Sequence, residues 1–358
     1  MPRKIASLSV LTLAVLVANP ATGQAEEIQV GASARMVEAA TALLETVSGQ
    51  PGGVERLLGF SRKEKLVLAA DDPAREDWSY WPRSRAGLFL DQMDGRQRGL
   101  VHDLLASVLS SQGYLKVVHI VYLENFLKTL DSAGLARNMG EYALTFFGEP
   151  SATEPWAWRF EGHHVSISFS VVGEGVRVTP SFLGANPAEI PSGPMTGFQV
   201  LRAEEDLGVA LRQSLTEEQI AIAVLDGDPP SDILTGTLRK PREQWTAWRE
   251  SVKAEGIQVS ALSDAQQAIV RRILREVATN YRDDIAHELL DNTDLGDLHF
   301  AWIGSPEPNA AHYYRLQGGD FVFEYDTAVG NNHVHTVWRD KTSDFGEDLL
   351  ALHYDRSH

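Results

Sequence analysis

The sequence predicts an α+β fold in which an antiparallel sheet packs with helices. Strand-like and helix-like segments lie in separate blocks along the chain, and this segregation disfavours a doubly wound parallel sheet. Two blocks predict the sheet: a hairpin around residues 156–182 and a meander around residues 298–339. Helical patterns fill the chain between them.

The elements before the hairpin follow from local patterns. Helical periodicity over residues 34–47 predicts a helix that ends at Ser48-Gly49. Residues 65–69 are apolar enough for a short strand, residues 78–82 favour extended chain, and residues 143–147 predict a further strand.

Three helix starts are predicted by one shared pattern. A capping residue is followed three positions later by Gln in Asp94…Gln97, Thr216…Gln219 and Ser263…Gln266. Each pair predicts a capping box, with an apolar residue just before it. The similarity does not extend far downstream, so it favours convergent capping over an internal repeat.

The β blocks have short links. Residues 156–172 form a long extended run, which Gly173-Glu174-Gly175 turns into residues 176–182. The meander comprises residues 298–303, 312–316, 321–325 and 333–338, and a last helix is expected over residues 345–354.

Composition and charge exclude several classes. The 358 residues contain no cysteine, so disulfides, thiolate metal sites and iron–sulfur clusters are excluded. A hydrophobic content of 43% suffices for a sizeable core. The formal net charge of −17 makes nucleic acid an improbable partner, because such a surface repels phosphate backbones.

The N-terminus has the pattern of an export signal. Arg3 and Lys4 precede a mostly apolar run over residues 5–17, and Ala21-Thr22-Gly23 offers a small-x-small cleavage site. We expect a signal peptide over residues 1–23 and an exported protein, periplasmic or extracellular, without a membrane anchor after cleavage. Residues 24–358 are expected to form a single domain or two intimately packed lobes.

Histidines dominate the candidate site. His333 and His335 stand two residues apart and would project from one face of a strand, a spacing that suits a shared metal ion. Glu324 and Asp326 share a face of the preceding strand, so carboxylates and imidazoles could converge there. The alternative is a half-buried pair held by hydrogen bonds, with Asp326 and Asp340 as partners.

A second histidine pair lies in the hairpin. In a regular strand, Glu161 and His163 would share a face with Val165, whereas His164 would point the other way. We expect His163 and His164 as metal ligands and Glu161 as a ligand or general base. The alternative is the polar end of a strand with ordinary hydrogen bonds.

The other candidate residues have less specific sequence signals. His312 is a further candidate metal ligand. Glu324 is a candidate general base or ligand, and Arg339 is a candidate for holding an anionic small-molecule substrate or stabilising developing charge. Neither G-x-S-x-G nor H-E-x-x-H occurs, so support for nucleophilic serine chemistry and for helix-borne zinc proteases is lacking. The metal could be zinc, copper, iron or manganese, and the oligomeric state is open.

Several long motifs carry a family resemblance: residues 154–164, 181–189, 232–236, 298–302, 312–318, 324–326 and 332–340, with the lead-in at residues 146–150. Through them the chain resembles the family known as domain of unknown function 3500. Asp326-Thr327 departs from the Asp-Asn expected there. The resemblance implies an exported protein of one family-sized unit and brings no established activity.

Three hypotheses for function remain. The first is an exported metal-dependent enzyme, a hydrolase or an oxidoreductase, with a histidine and carboxylate site. The second is a metal-free ligand-binding protein whose histidines form hydrogen-bonding walls. The third is a metal carrier without turnover.

Overall fold

The structure is a computed structural model that describes residues 31–47, 61–130, 138–236, 254–291, 293–307, 310–327, 330 and 332–357. Its centre is a twelve-stranded sheet in the order β1-β3-β4-β5-β7-β12-β11-β10-β9-β8, with β2 paired to β3 and β6 to β5. Only β1 and β3 run parallel among these strands. The α+β class predicted from the sequence is confirmed.

The strands are β1 (Val67–Leu68), β2 (Leu88–Phe89), β3 (Ala143–Phe147), β4 (Trp156–Gly162), β5 (Val165–Val172), β6 (Gly175–Arg177), β7 (Ser181–Ala185), β8 (Ile257–Gln258), β9 (His299–Gly304), β10 (His312–Gly318), β11 (Phe321–Asp326) and β12 (Val334–Asp340). The predicted strand over residues 143–147 and the four-stranded C-terminal meander are confirmed.

The helices are α1 (Ala32–Val47), α2 (Arg62–Leu66), α3 (Gly95–Val108), α4 (Ser111–Leu130), α5 (Arg202–Gln213), α6 (Glu217–Ala223), α7 (Asp264–Ala278), α8 (Asp283–Asp291) and α9 (Glu347–Ser357). All three predicted capping boxes form, at the starts of α3, α6 and α7. The predicted end of α1 at Ser48-Gly49 lies outside the described residues. None of the described helices is long and apolar enough to cross a membrane.

The long extended run predicted over residues 156–172 is two strands. The chain reverses at His163-His164, so that β4 and β5 pair as a hairpin with Glu161 opposite Ser166. His164 has a φ of 64°, in the left-handed region that lets a two-residue turn close. The prediction that Glu161 and Val165 share one face of the sheet is therefore wrong, because the turn shifts Val165 to the opposite face.

The sheet has two contrasting faces. One row of paired residues is apolar from β4 to β9 apart from one serine: Phe160, Ile167, Ser181, Trp338, Phe323, Leu316 and Phe300. This apolar face joins the main hydrophobic core with residues of α1, α3, α4, α5 and α7. Burial of such side chains stabilises the fold by about 25 cal/mol per Å² of apolar surface.

The opposite face is polar yet buried. Its neighbouring row runs Glu161, Ser166, Phe182, Val337, Glu324 and Arg315. Buried charges need partners, and Arg159, Glu161 and Glu324 bind the backbone of two chain segments that cross the face, residues 74–85 and residues 232–236. A second small hydrophobic cluster of Trp78, Tyr80, Phe182, Ile233, Val337 and Phe345 packs between these segments and the sheet.

Candidate metal centre

Three histidines meet at the end of the polar face. The hairpin turn supplies His164, His333 immediately precedes β12, and His335 lies in β12. The imidazole Nε2 atoms of His164 and His333 are 2.7 Å apart, and the ring centroids of His333 and His335 are 4.7 Å apart. One nitrogen from each ring lies within 4.8 Å of the other two. We call these three residues the three-histidine cluster.

Glycine at position 184 makes room for two of the rings. Gly184 pairs with His335 across β7 and β12, and its amide donates to the carbonyl of His164 at 2.8 Å. A Cβ at this position would lie 2.8 Å from Cδ2 of His335 and 3.0 Å from Cδ2 of His164. The close approach of the imidazoles therefore depends on the missing side chain.

The orientation of His335 is set by a carboxylate. Its Nδ1–H donates to Oδ1 of Asp232 at 2.7 Å, and the hydroxyl of Tyr80 donates to the other oxygen of Asp232 at 2.9 Å. The Nε2 atom of His335 is buried and has no hydrogen-bond partner. A carboxylate on one nitrogen and an unengaged second nitrogen are typical of metal-binding histidines.

Burial controls the protonation of this part of the site. Desolvation lowers the pKa of His335, although the hydrogen bond and charge of Asp232 oppose that shift. The ring is therefore neutral at pH 7, which is the form that binds metals. Burial also raises the pKa of the Tyr80 hydroxyl, with the Asp232 carboxylate adding to the shift, so Tyr80 remains a donor.

His163 belongs to an adjoining group. Its Nδ1 lies 2.5 Å from Oε1 of Glu124 on α4, and its ring stacks against that of His164 with centroids 3.7 Å apart. Glu124, His163 and His164 form a second set whose ligand atoms lie within 4.8 Å of one another. His163 and Glu124 also line a cavity of about 460 Å³ together with Arg83, Arg85 and Tyr142.

The three predicted catalytic residues bind the chain segments that cross the polar face, residues 74–85 and 232–236, and belong to neither histidine set. Glu161 accepts a hydrogen bond from the amide of Ser79 at 3.0 Å. Glu324 binds the 232–236 segment, and Arg339 donates to the carbonyl of Thr235 at 2.6 Å. Their catalytic roles stay predictions, which these contacts do not support.

Other sequence expectations differ in detail. Asp326 lies opposite His335 in the β11–β12 pair, but the carboxylate that binds the ring belongs to Asp232. His312 lies on the apolar face, stacked on Trp302 at 4.7 Å. Asp232 was not predicted as the partner of His335, although it lies within one of the motifs of the family resemblance.

Glu124 was also missed. It is an acidic residue on α4 between Leu123 and Leu127, which are both buried. A carboxylate at an apolar helix position is a signal for a buried partner, and in the structure that partner is His163.

The fold and the cluster define a class: an α+β protein with a largely buried group of histidines that could hold a metal ion. The family model described as "Protein of unknown function (DUF3500)" matches residues 31–347. The chain belongs to this family. No curated protein and no solved structure matches it.

Proposed function

We propose that the three-histidine cluster binds one divalent transition-metal ion and that the protein is a metal-dependent enzyme of the hydrolase type. The observation that carries the proposal is the buried Nε2 atom of His335, which has no hydrogen-bond partner while Asp232 holds the other nitrogen. Leaving a buried polar atom unsatisfied costs about 1–3 kcal/mol. Coordination of a metal ion offsets that cost.

The spacing of the rings suits one ion. Two imidazole ligands of a tetrahedral zinc ion stand roughly 3.3 Å apart when each bond is about 2.05 Å long. The 2.7 Å contact of His164 and His333 is a hydrogen bond that needs a proton on one ring only. A small opening of this pair, by roughly 0.6 Å, replaces the hydrogen bond by two bonds to one ion.

Backbone strain at His164 supports a functional role. A left-handed conformation costs a residue other than glycine about 1–2 kcal/mol, and His164 adopts it with a φ of 64°. Asparagine or glycine would form the same turn at less cost. The strained histidine places its ring beside His333 and His335.

Three neutral imidazoles leave one coordination position open on a tetrahedral ion, as in catalytic zinc sites. An ion held in this way supplies Lewis acidity and lowers the pKa of a bound water to about 7. Around it, Asp232 orients His335, the aromatic rings of Tyr80 and Trp81 cover that imidazole, and the cavity beside His163 offers space for a substrate. The Glu124–His163 pair is placed to accept a proton at that cavity.

The second set, Glu124, His163 and His164, is a competing metal site. It is less favourable because it does not include His335, whose buried Nε2 atom has no hydrogen-bond partner. The metal affinity of Glu124→Gln distinguishes between the two candidate sites. Metal affinity within about threefold of the unaltered protein, or roughly 0.7 kcal/mol, supports the three-histidine site. Complete loss of binding supports the second set.

The test is metal analysis of untagged protein after chelation and reconstitution with zinc, copper, iron or manganese. We expect one ion per chain, lost in His335→Gln. The matched control is His312→Gln, because His312 is also a buried histidine with an unpartnered Nε2 atom but lies on the apolar face. No metal in any reconstituted sample would favour a metal-free ligand-binding protein. A bound ion that admits no added ligand would favour a carrier.

Export of the protein and a small-molecule substrate complete the proposal. The basic and apolar N-terminal pattern of residues 1–23 supports export to the periplasm or the extracellular space. N-terminal sequencing of the protein recovered outside the cytoplasm should begin near residue 24. An intact Met1 on that material contradicts cleavage.

A further inference from the structure

We propose that Glu324 is a positioning residue of the three-histidine cluster. It fixes the 232–236 segment on the sheet, so that Asp232 selects the tautomer and orientation of His335. The inference rests on the metal site proposed above and explains how the fold prepares it. Glu324 acts through Asp232, because its hydrogen bonds go to Leu234, Thr235 and Tyr313.

The carboxylate of Glu324 is fully buried and is surrounded by donors. The amides of Leu234 and Thr235 donate to its two oxygens at 2.6 and 2.9 Å, and the hydroxyl of Thr235 donates to it as well. The hydroxyl of Tyr313 supplies a fourth hydrogen bond at 2.7 Å. Hydrogen bonds to an ionised acceptor are roughly twice as strong as neutral ones, so this carboxylate is a firm anchor for a segment without regular secondary structure.

The anchored segment leads directly to His335. Asp232 is two residues before Leu234, and its Oδ1 accepts from the amide of Ile233 as well as from Nδ1 of His335. Ile233 packs in the small cluster with Val337, which faces Glu324 across β11 and β12. The same segment is therefore fixed at both ends, with the Asp232 carboxylate aimed at the imidazole.

Tautomer selection is the chemical consequence. A carboxylate can only accept from Nδ1–H, so contact with Asp232 leaves Nε2 of His335 without a proton and able to bind a metal. Asp232 can exert this control only while the 232–236 segment remains in place. Arg339 supports the segment from the other side, through Thr235, and is itself paired with Asp344 at 2.8 Å.

The experiment compares Glu324→Gln, Asp232→Asn and the double variant with two readouts. In chelated protein, nitrogen-15 NMR reports which nitrogen of His335 carries the proton, and this measurement needs no metal. In zinc-titrated protein, competition with a chromophoric chelator reports affinity. Glu204→Gln is the control, because it removes another buried carboxylate, which pairs with Lys116 away from the histidines. The backbone carbonyl of Glu204 accepts from Tyr314 on the apolar face, and the substitution keeps that contact.

We expect Asp232→Asn to lower zinc affinity by roughly 10- to 100-fold, as for other partners of metal-binding histidines, and Glu324→Gln to lower it by up to the same factor. The Nδ1–H form of His335 should lose population in both single variants. The double variant should bind zinc no more weakly than Asp232→Asn alone, because Glu324 acts through Asp232. Glu204→Gln should leave both readouts unchanged.

Additive losses in the double variant, or an unchanged tautomer in Glu324→Gln, would overturn the positioning role. If Glu324→Gln does not fold, Tyr313→Phe removes one of the four donors and should shift both readouts in the same direction by a smaller amount. No shift in that variant counts against the role. A tautomer change without zinc binding in any sample would refute the metal site and leave the positioning role standing.

Discussion

Gly184→Ala tests the packing of the three-histidine cluster most sharply. The added methyl would lie 2.8 Å from Cδ2 of His335 and 3.0 Å from Cδ2 of His164. Non-bonded carbon atoms settle about 3.5–4.0 Å apart, so each ring has to retreat by roughly 0.5–1 Å. Metal sites tolerate changes in ligand distance of only about 0.2 Å. The substitution therefore disturbs ligand geometry directly.

The expected magnitude follows from the cost of overpacking. Extra methyl groups in close-packed sites cost about 1–3 kcal/mol, and 1.4 kcal/mol corresponds to a factor of ten in affinity. We expect zinc affinity to fall by roughly 10- to 100-fold, measured by competition with a chromophoric chelator. Urea unfolding of the chelated protein reports how much of the cost falls on the fold itself.

Gly99→Ala is the matched control. It adds the same methyl group within α3, where a Cβ has no atom within 4 Å. Alanine is favoured over glycine inside a helix by about 0.5–1 kcal/mol, so this variant should be slightly more stable and bind zinc normally. Unaltered zinc affinity in Gly184→Ala, with the fold intact, would refute the convergence of the two rings over Gly184.

Two further predictions concern strain and pH. His164→Asn and His164→Ala should both lose zinc binding. In calorimetry of the chelated proteins, the first should be the more stable by about 1 kcal/mol, because asparagine tolerates the left-handed backbone at position 164; equal or reversed stabilities would contradict the strain. The pKa of His335 is lowered by burial, so the unfolded chain takes up the proton first and stability is lost as the pH falls below the unfolded pKa of about 6.5. The slope of unfolding free energy against pH should therefore be shallower in His335→Asn by up to about 1.4 kcal/mol per pH unit; identical slopes would show that His335 is not buried as a neutral ring.

Local sequence signals predicted much of the fold. The capping boxes at Asp94, Thr216 and Ser263 depend on residues three positions apart, and each forms as expected. The meander follows from apolar strand patterns separated by short links, and its strands pair with their neighbours in sequence. Interactions between residues that are close in sequence suffice to predict these features.

The hairpin turn at His163-His164 could not be predicted in this way. Neither residue is a usual turn former, and the left-handed conformation of His164 is stabilised by contacts with distant parts of the chain. The amide of His164 donates to the carbonyl of Tyr80, and its own carbonyl accepts from Gly184. Long-range packing therefore overrides the local preference.

The candidate site was predicted in residue type but not in arrangement. His164, His333 and His335 were singled out from their spacing, and the structure brings them together. Their partners Asp232 and Glu124 come from a loop and a helix far away in sequence, so strand periodicity carries no information about them. Glu324 was predicted as a catalytic residue, but in the structure its buried carboxylate binds the 232–236 segment. The residue type alone does not distinguish these two roles.

The most direct test of the central claim is X-ray absorption spectroscopy of the zinc-reconstituted protein. The account predicts three imidazole nitrogens and one further oxygen ligand at about 2.0–2.1 Å from the ion, with the number of imidazoles falling in His335→Gln. A shell of oxygen ligands without imidazole scattering, or a spectrum unchanged in that variant, would contradict the three-histidine site.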